Sequence, residues 1–121
     1  MFSILISNTD DHLRNHGFLW AGAAGWRLSP AYDLNPVPTD IRPRILTTAI
    51  DLEDSRASLE LALQVSSYFE LGADEARRIA ARVGQAVARW RREAEKLGLT
   101  SAEIDRMASA FEHSDLREAS G

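Results

Sequence analysis

The chain of 121 residues and 13.4 kDa is 45% hydrophobic and 26% charged, which suits one small globular domain and excludes a disordered, fibrous or multidomain protein. It has no cysteine, so disulfides, thiol catalysis and cysteine-based zinc sites are excluded. The formal charge of -4 argues against a general electrostatic grip on nucleic acid, and every basic residue except Lys96 is an arginine.

In chain order, Met1–Thr9 lacks the basic flank of a signal peptide and the length of a membrane span, so a cytoplasmic location is expected. Within it, Phe2–Ile6 is an apolar run too short for its period to separate helix from strand. The polar cluster Ser7-Asn8-Thr9-Asp10-Asp11-His12 interrupts the run, because such side chains hydrogen-bond their own backbone and favour turns. Residues 16–20 and 26–28 flank Ala21-Gly-Ala-Ala-Gly25, which predicts a β-hairpin. Prolines at 30, 36 and 38 then hold Ala31–Leu34 in an extended or turn conformation. Residues 44–52 suggest another strand before the acidic loop Asp51–Asp54.

Helical periodicity takes over in the second half. A helix is predicted over roughly Ser58–Glu70, with Leu59, Ala62, Leu63, Ser66 and Phe69 on one side. From Asp74 to Leu97 the positions Ala76, Ile79, Ala80, Val83, Val87, Trp90, Ala94 and Leu97 step by threes and fours, predicting one long helix that Gly98 stops. Thr100-x-x-Glu103 is a capping box for a further helix built on Ile104, Met107, Ala108 and Phe111 and fraying near Ser114. The expected fold is mainly α. Residues 1–57 would hold the loop, the hairpin and a metal-binding segment, and residues 58–121 a subdomain of three packed helices.

The chemistry concentrates in Asn8-Thr9-Asp10-Asp11-His12-Leu13-Arg14-Asn15 and in Tyr32-Asp33, which the hairpin would fold back onto the same place. A carboxylate free to accept a hydroxyl proton, with an amide oxygen and a second carboxylate free to hold a hard cation, is the minimum set for metal-assisted phosphoryl transfer. Asp10-x4-Asn15 followed by a later Asp33 has the spacing of a protein-kinase catalytic loop. The same run also suits a solvated turn or a helix N-cap. His12 and His16 form a His-x3-His pair that, with Asp10 or Asp11, would suit zinc only if a helix ran between them, and the turn-forming residues there speak against one. His113 stands alone and reads as a surface residue, and Trp20 and Trp26 as hairpin and core packing.

Residues 8–19, Asn-Thr-Asp-Asp-His-Leu-Arg-Asn-His-Gly-Phe-Leu, and residues 25–36, Gly-Trp-Arg-Leu-Ser-Pro-Ala-Tyr-Asp-Leu-Asn-Pro, closely resemble the C-terminal lobe of the HipA family of serine/threonine kinases. These are the toxin halves of bacterial toxin-antitoxin pairs. The resemblance extends over the helical half in pattern only. It implies that Asp10 orients or deprotonates the acceptor hydroxyl, that Asn15 and Asp33 bind Mg²⁺, and that His12, Leu13, Arg14 and Tyr32 lie along the ATP. It also implies a helical kinase-like lobe that meets a HipB-like antitoxin and, in some members, DNA.

No glycine-rich phosphate loop precedes the motif, and Lys96 falls in a late helix. The expectation is a lower lobe with little or no kinase activity by itself, or a non-catalytic module that docks an antitoxin, a separate upper-lobe chain or DNA, with self-association through the face an upper lobe would cover. Direct DNA contact is not expected, because Asp51-Leu-Glu-Asp-Ser-Arg-Ala is acidic and the arginines after residue 74 alternate with glutamates.

Overall fold

The N-terminal apolar run folds as a single helical turn, α1 (Phe2–Leu5), and supplies Ile4, Leu5 and Ile6 to the centre of the core. The computed structural model describes residues 1–121, of which about half are helical, with one small antiparallel sheet. The fold is therefore mainly α. Around the N-terminal turn close Leu46, Ala57, Leu59, Ala80, Val87, Leu116 and Ala119, so the segment leading into the Asp10 loop is clamped by elements from the whole chain.

The hairpin forms as expected. Strands β1 (Phe18–Trp20) and β2 (Trp26–Leu28) pair with Phe18 opposite Leu28 and Trp20 opposite Trp26, and the Ala21 N–H closes the turn on the Gly25 carbonyl at 2.8 Å. The two indoles meet edge to face at 5.5 Å, a favoured aromatic geometry, yet both remain mostly exposed. They are hairpin packing as predicted, but not core packing, because nothing else in the chain covers the sheet.

Residues 44–52 do not form the expected strand. Their only ladder contact is an isolated bridge between Ile45 and Arg56, since Thr47 and Thr48 spend their backbone N–H groups on the carbonyls of Thr9 and Asp11. The helix expected to reach Glu70 is also shorter. Ser58 caps α2 (Leu59–Gln64) by accepting the Leu61 N–H, a 3₁₀ turn follows at Ser66–Phe69, and Glu70 takes a left-handed φ of 58° that ends it.

The long helix is two. Helix α3 (Ala73–Val87) buries Ala76, Ala80, Gly84 and Val87, and Gly84, which has no Cβ to meet Ala119, lets it lie close against α6 (Ser114–Ser120). After a break at Ala88-Arg89, α4 (Trp90–Lys96) turns to α5 (Ser101–Phe111), where the Trp90 and Phe111 rings stack at 4.4 Å and Arg91 reaches Asp105 and Glu112. A continuous stripe in sequence thus faces two different partners in space. Gly98 takes a φ of 85° and ends α4, and the Thr100–Glu103 capping box opens α5, both as predicted.

Instead of fraying, the C-terminus turns back as α6, whose N-cap is His113: its Nδ1 accepts the Leu116 N–H and its Nε2 lies 3.2 Å from the Leu5 carbonyl. His113 is consequently an enclosed structural residue, with a side chain only 10% exposed. The second half holds five α-helices and a 3₁₀ turn, not three helices.

Candidate functional site

The polar residues after α1 are buried rather than solvated. Ser7, Asn8 and Thr9 are 0%, 1% and 3% exposed, which is tolerable because most of their polar atoms have partners inside the fold. The Ser7 hydroxyl donates to the Ala110 carbonyl at 2.7 Å and accepts from Arg44 Nε at 3.2 Å. Asn8 Nδ2 donates to Ser3 Oγ, while its Oδ1 accepts the Asn35 N–H. The Thr9 carbonyl accepts both the N–H and the hydroxyl of Thr47. Ser7 itself carries a φ of 54°, the sharp bend that ends α1 and starts the loop.

The next two aspartates part company. Asp10 is 66% exposed, with Arg42 at 3.7 Å as its one ionic neighbour. Asp11 is 18% exposed and fully engaged: Oδ2 accepts the Ser3 hydroxyl at 2.9 Å, Oδ1 meets His16 Nε2 at 3.0 Å, and its backbone carbonyl accepts from Thr48. Of the pair, only Asp10 has a carboxylate that an incoming hydroxyl could reach without dismantling the loop.

From His12 the chain makes a 3₁₀ turn, Leu13–Asn15. The His12 N–H donates to Asn15 Oδ1 at 3.0 Å and the Asn15 N–H returns to the His12 carbonyl at 2.9 Å, which fixes the buried Asn15 side chain. Its Nδ2 donates to Asp33 Oδ2 at 2.8 Å. Asp33 holds a left-handed φ of 57°, one an aspartate tolerates better than most residues, and its Oδ1 accepts from Asn35 Nδ2 at 2.6 Å. The Tyr32 hydroxyl donates to the Arg14 carbonyl at 2.8 Å and ties the two segments a second time.

Among the residues singled out in the sequence, Asn15, Asp33, Tyr32 and the Arg14 backbone come together. Asp10 shares the loop but makes no hydrogen bond to Asn15 or Asp33. Leu13 is 78% exposed at the tip, and the Arg14 guanidinium makes no ion pair, with Asp10 or any other acid. His12 Nδ1 and Thr9 Oγ1 are buried without a partner. The His12–His16 zinc pair does not assemble, since His16 is taken by Asp11 and no group of three or more His, Asp or Glu gathers anywhere. A cleft of about 550 Å³ lies under the hairpin, with Phe2, Asn15, His16, Leu28, Tyr32 and Leu34 among its walls.

Sequence reasoning missed the residues that anchor the loop. Arg44 reaches Ser7 Oγ, the Ile4 carbonyl at 2.9 Å and the Asp115 carboxylate at 2.5 Å, and Asp115 in turn accepts the Leu59 N–H at 2.8 Å. Burial would raise the Asp115 carboxyl, but the Leu59 N–H and the Arg44 charge outweigh it and hold it below the usual carboxylate range. The one available signal was an arginine set between Pro43 and the apolar pair Ile45-Leu46.

The pair Asn15–Asp33 suits a hard divalent cation. Asp33 is held only by neutral amide donors, so no cationic side chain competes for its charge, and Asn15 Oδ1 retains a second lone pair beyond the His12 N–H. Two protein oxygens are what Mg²⁺ takes when phosphates and waters complete its octahedron. A bridging cation would replace the present Asn15–Asp33 hydrogen bond.

The family model described as the HipA-like C-terminal domain matches residues 1–91, from α1 into α4. No curated protein and no solved structure matches the chain. No helix is long and apolar enough to cross a membrane.

Proposed function

The chain belongs to the HipA-like C-terminal domain family, and from that membership we propose that it is the acceptor and metal side of a HipA-like serine/threonine protein kinase acting on a protein hydroxyl. The observation that carries this reading is the 2.8 Å contact between Asn15 and Asp33, eighteen residues apart, beside a neighbouring Asp10 left free at the surface. Asp10 accepts the proton of the acceptor hydroxyl as its oxygen bonds to the γ-phosphorus of ATP and the bond to the departing ADP oxygen breaks. Asn15 and Asp33 hold Mg²⁺, which when bound neutralises charge on the phosphates. Tyr32, by fastening the Arg14 carbonyl, keeps His12, Leu13 and Arg14 along the nucleotide side of the loop.

Kinase chemistry also needs a lysine and a glycine-rich loop on the phosphates. The single lysine here, Lys96, pairs with Glu93 on α4, so both elements must come from residues outside these 121. Weak Mg²⁺ and ATP binding, and little phosphoryl transfer, are therefore expected of the chain by itself.

The test is a calorimetric titration of ATP and Mg²⁺ into the chain and into Asp33→Ala. A heat lost in the variant supports the assignment, and an identical heat in both overturns it. The exposed Phe18, Trp20, Trp26 and Leu28 on one hairpin face favour a second reading, an interaction module for an antitoxin or an upper-lobe chain. Phosphoryl transfer gained on adding an upper-lobe chain, and lost in Asp10→Ala, decides for the kinase.

A further inference from the structure

Between Asp10 and Asn15 the chain must hold one curvature if a base and a metal ligand are to serve the same phosphate. Two closures set that curvature. The inner one is the reciprocal bonding of His12 and Asn15. The outer one joins residues on either side of it: Asp11 Oδ1 meets His16 Nε2 at 3.0 Å, directly beside Asp10 at one end and Asn15 at the other. The outer closure is anchored to α1, because Asp11 Oδ2 also takes the Ser3 hydroxyl, and to the 47–48 segment, because the Asp11 carbonyl accepts from Thr48. With its carboxylate bound inward, Asp11 leaves Asp10 as the aspartate facing solvent.

We propose that Asp11 and His16 are positioning residues, a side-chain clamp across the loop that holds Asn15 in place to share a metal with Asp33. The proposal rests on the reading of Asn15 and Asp33 given above. Neither clamp residue need touch the nucleotide. Each Asp11 carboxylate oxygen already has a partner, and His16 contributes its Nε2 to one of them. Misplacement of a ligand by about 1 Å can cost roughly a hundredfold in a phosphoryl-transfer site, so a bond that fixes loop curvature matters without direct contact.

The experiment uses the full chain with Mn²⁺ and ATP as the probe, read by paramagnetic broadening of the Asn15 and Asp33 amide resonances, which detects weak occupancy. In the wild type these resonances are expected to broaden, and in Asp33→Ala the Asn15 resonance is not. His16→Phe keeps an aromatic ring but loses the bond to Asp11, and is expected to need at least fivefold more Mn²⁺. His16→Gln, whose amide can still donate to Asp11, is expected to return to within twofold of the wild type. That rescue separates positioning from a merely structural loss, and circular dichroism checks that each variant folds. Should the wild type bind but His16→Phe bind equally well, the clamp is overturned while the metal site stands. Failure of His16→Gln to recover, with its fold intact, also overturns the clamp. Should the wild type itself show no broadening, the metal reading fails and the clamp falls with it.

Discussion

The guanidinium of Arg44 lies 2.5 Å from the carboxylate of Asp115, both side chains largely enclosed at 18% and 14% exposure, and this pair joins the first helical turn to the last. Arg44 spends its other N–H groups on Ser7 Oγ and the Ile4 carbonyl, and Asp115 accepts the Leu59 N–H, so four segments meet at one ion pair. The Asp10 loop begins at Ser7 and is thereby rooted in the C-terminal helix.

Removing one partner strands a charge in a poorly hydrated place. Arg44→Met is expected to lower the free energy of unfolding by about 3–5 kcal/mol, and Asp115→Asn by less, since its amide oxygen can still accept from Leu59. The double substitution should cost clearly less than the sum of the two. Urea unfolding of the four proteins of that cycle measures the coupling, and additive losses would mean the pair contributes nothing as a pair.

Acid should weaken the same region. Burial, helped by the Arg44 charge, holds the His113 imidazole below its ordinary value of 6.5. Its Nδ1 must also stay unprotonated to accept the Leu116 N–H. The unfolded chain then binds a proton that the folded one refuses, so the His113 contribution to stability is full above pH 6.5 and falls as the pH drops below that value. Asp115, also depressed, adds a second loss as the pH falls below 3.8. His113→Asn keeps a capping side chain without a titrating ring, and its urea midpoint is expected to decline less than that of the wild type between pH 7.5 and about 5.5, where the buried N-terminal amine, also held below its ordinary value of 8.0, still contributes to both.

What the sequence made legible was local. The hairpin turn, the Ser58, Gly98 and Thr100–Glu103 ends and the approach of Asn15 to Asp33 all depend on neighbouring residues or on one short reversal. What escaped was tertiary. The break before Trp90 arises because Phe111 offers a stacking partner off the α3 axis, and α6 forms because His113 finds Leu5 and Arg44 finds Asp115. Pairings between residues tens of positions apart, up to 108 for His113 and Leu5, leave no periodicity to read. The buried Ser7-Asn8-Thr9 run was misleading for the same reason, since its partners lie at Arg44, Asn35, Thr47 and Ala110.

Gly84 sets how closely α3 and α6 cross. A Cβ there would sit 2.7 Å from both the Cβ and the carbonyl carbon of Ala119, closer than real contacts permit, and the obstruction is backbone rather than a movable side-chain end. Gly84→Ala must push the helices apart at the centre of their interface, against any gain in helix propensity. A loss of about 1–3 kcal/mol is expected, read as a lower melting temperature. Adding Ala119→Gly removes only one of the clashes, so it should restore part of the loss. A variant as stable as the wild type would show that the crossing has slack.

The neighbouring aspartates should differ sharply when removed. Asp10 is exposed and its contact with Arg42 spans 3.7 Å between two solvated side chains, so Asp10→Ala is expected to change stability by no more than about 0.5 kcal/mol. Asp11→Ala takes the acceptor from both Ser3 and His16 and opens the loop, for a loss of about 1–2 kcal/mol. The loop tip carries Arg14 without an ionic partner beside the exposed Leu13, which makes it a trypsin site once the chain there loosens. Limited trypsin digestion should therefore cut Asp11→Ala after Arg14 faster than it cuts the wild type, and leave Asp10→Ala at the wild-type rate. Equal cleavage of the two variants would mean that the Asp11 contacts do not hold the loop, and that the exposure of Asp10 has another origin.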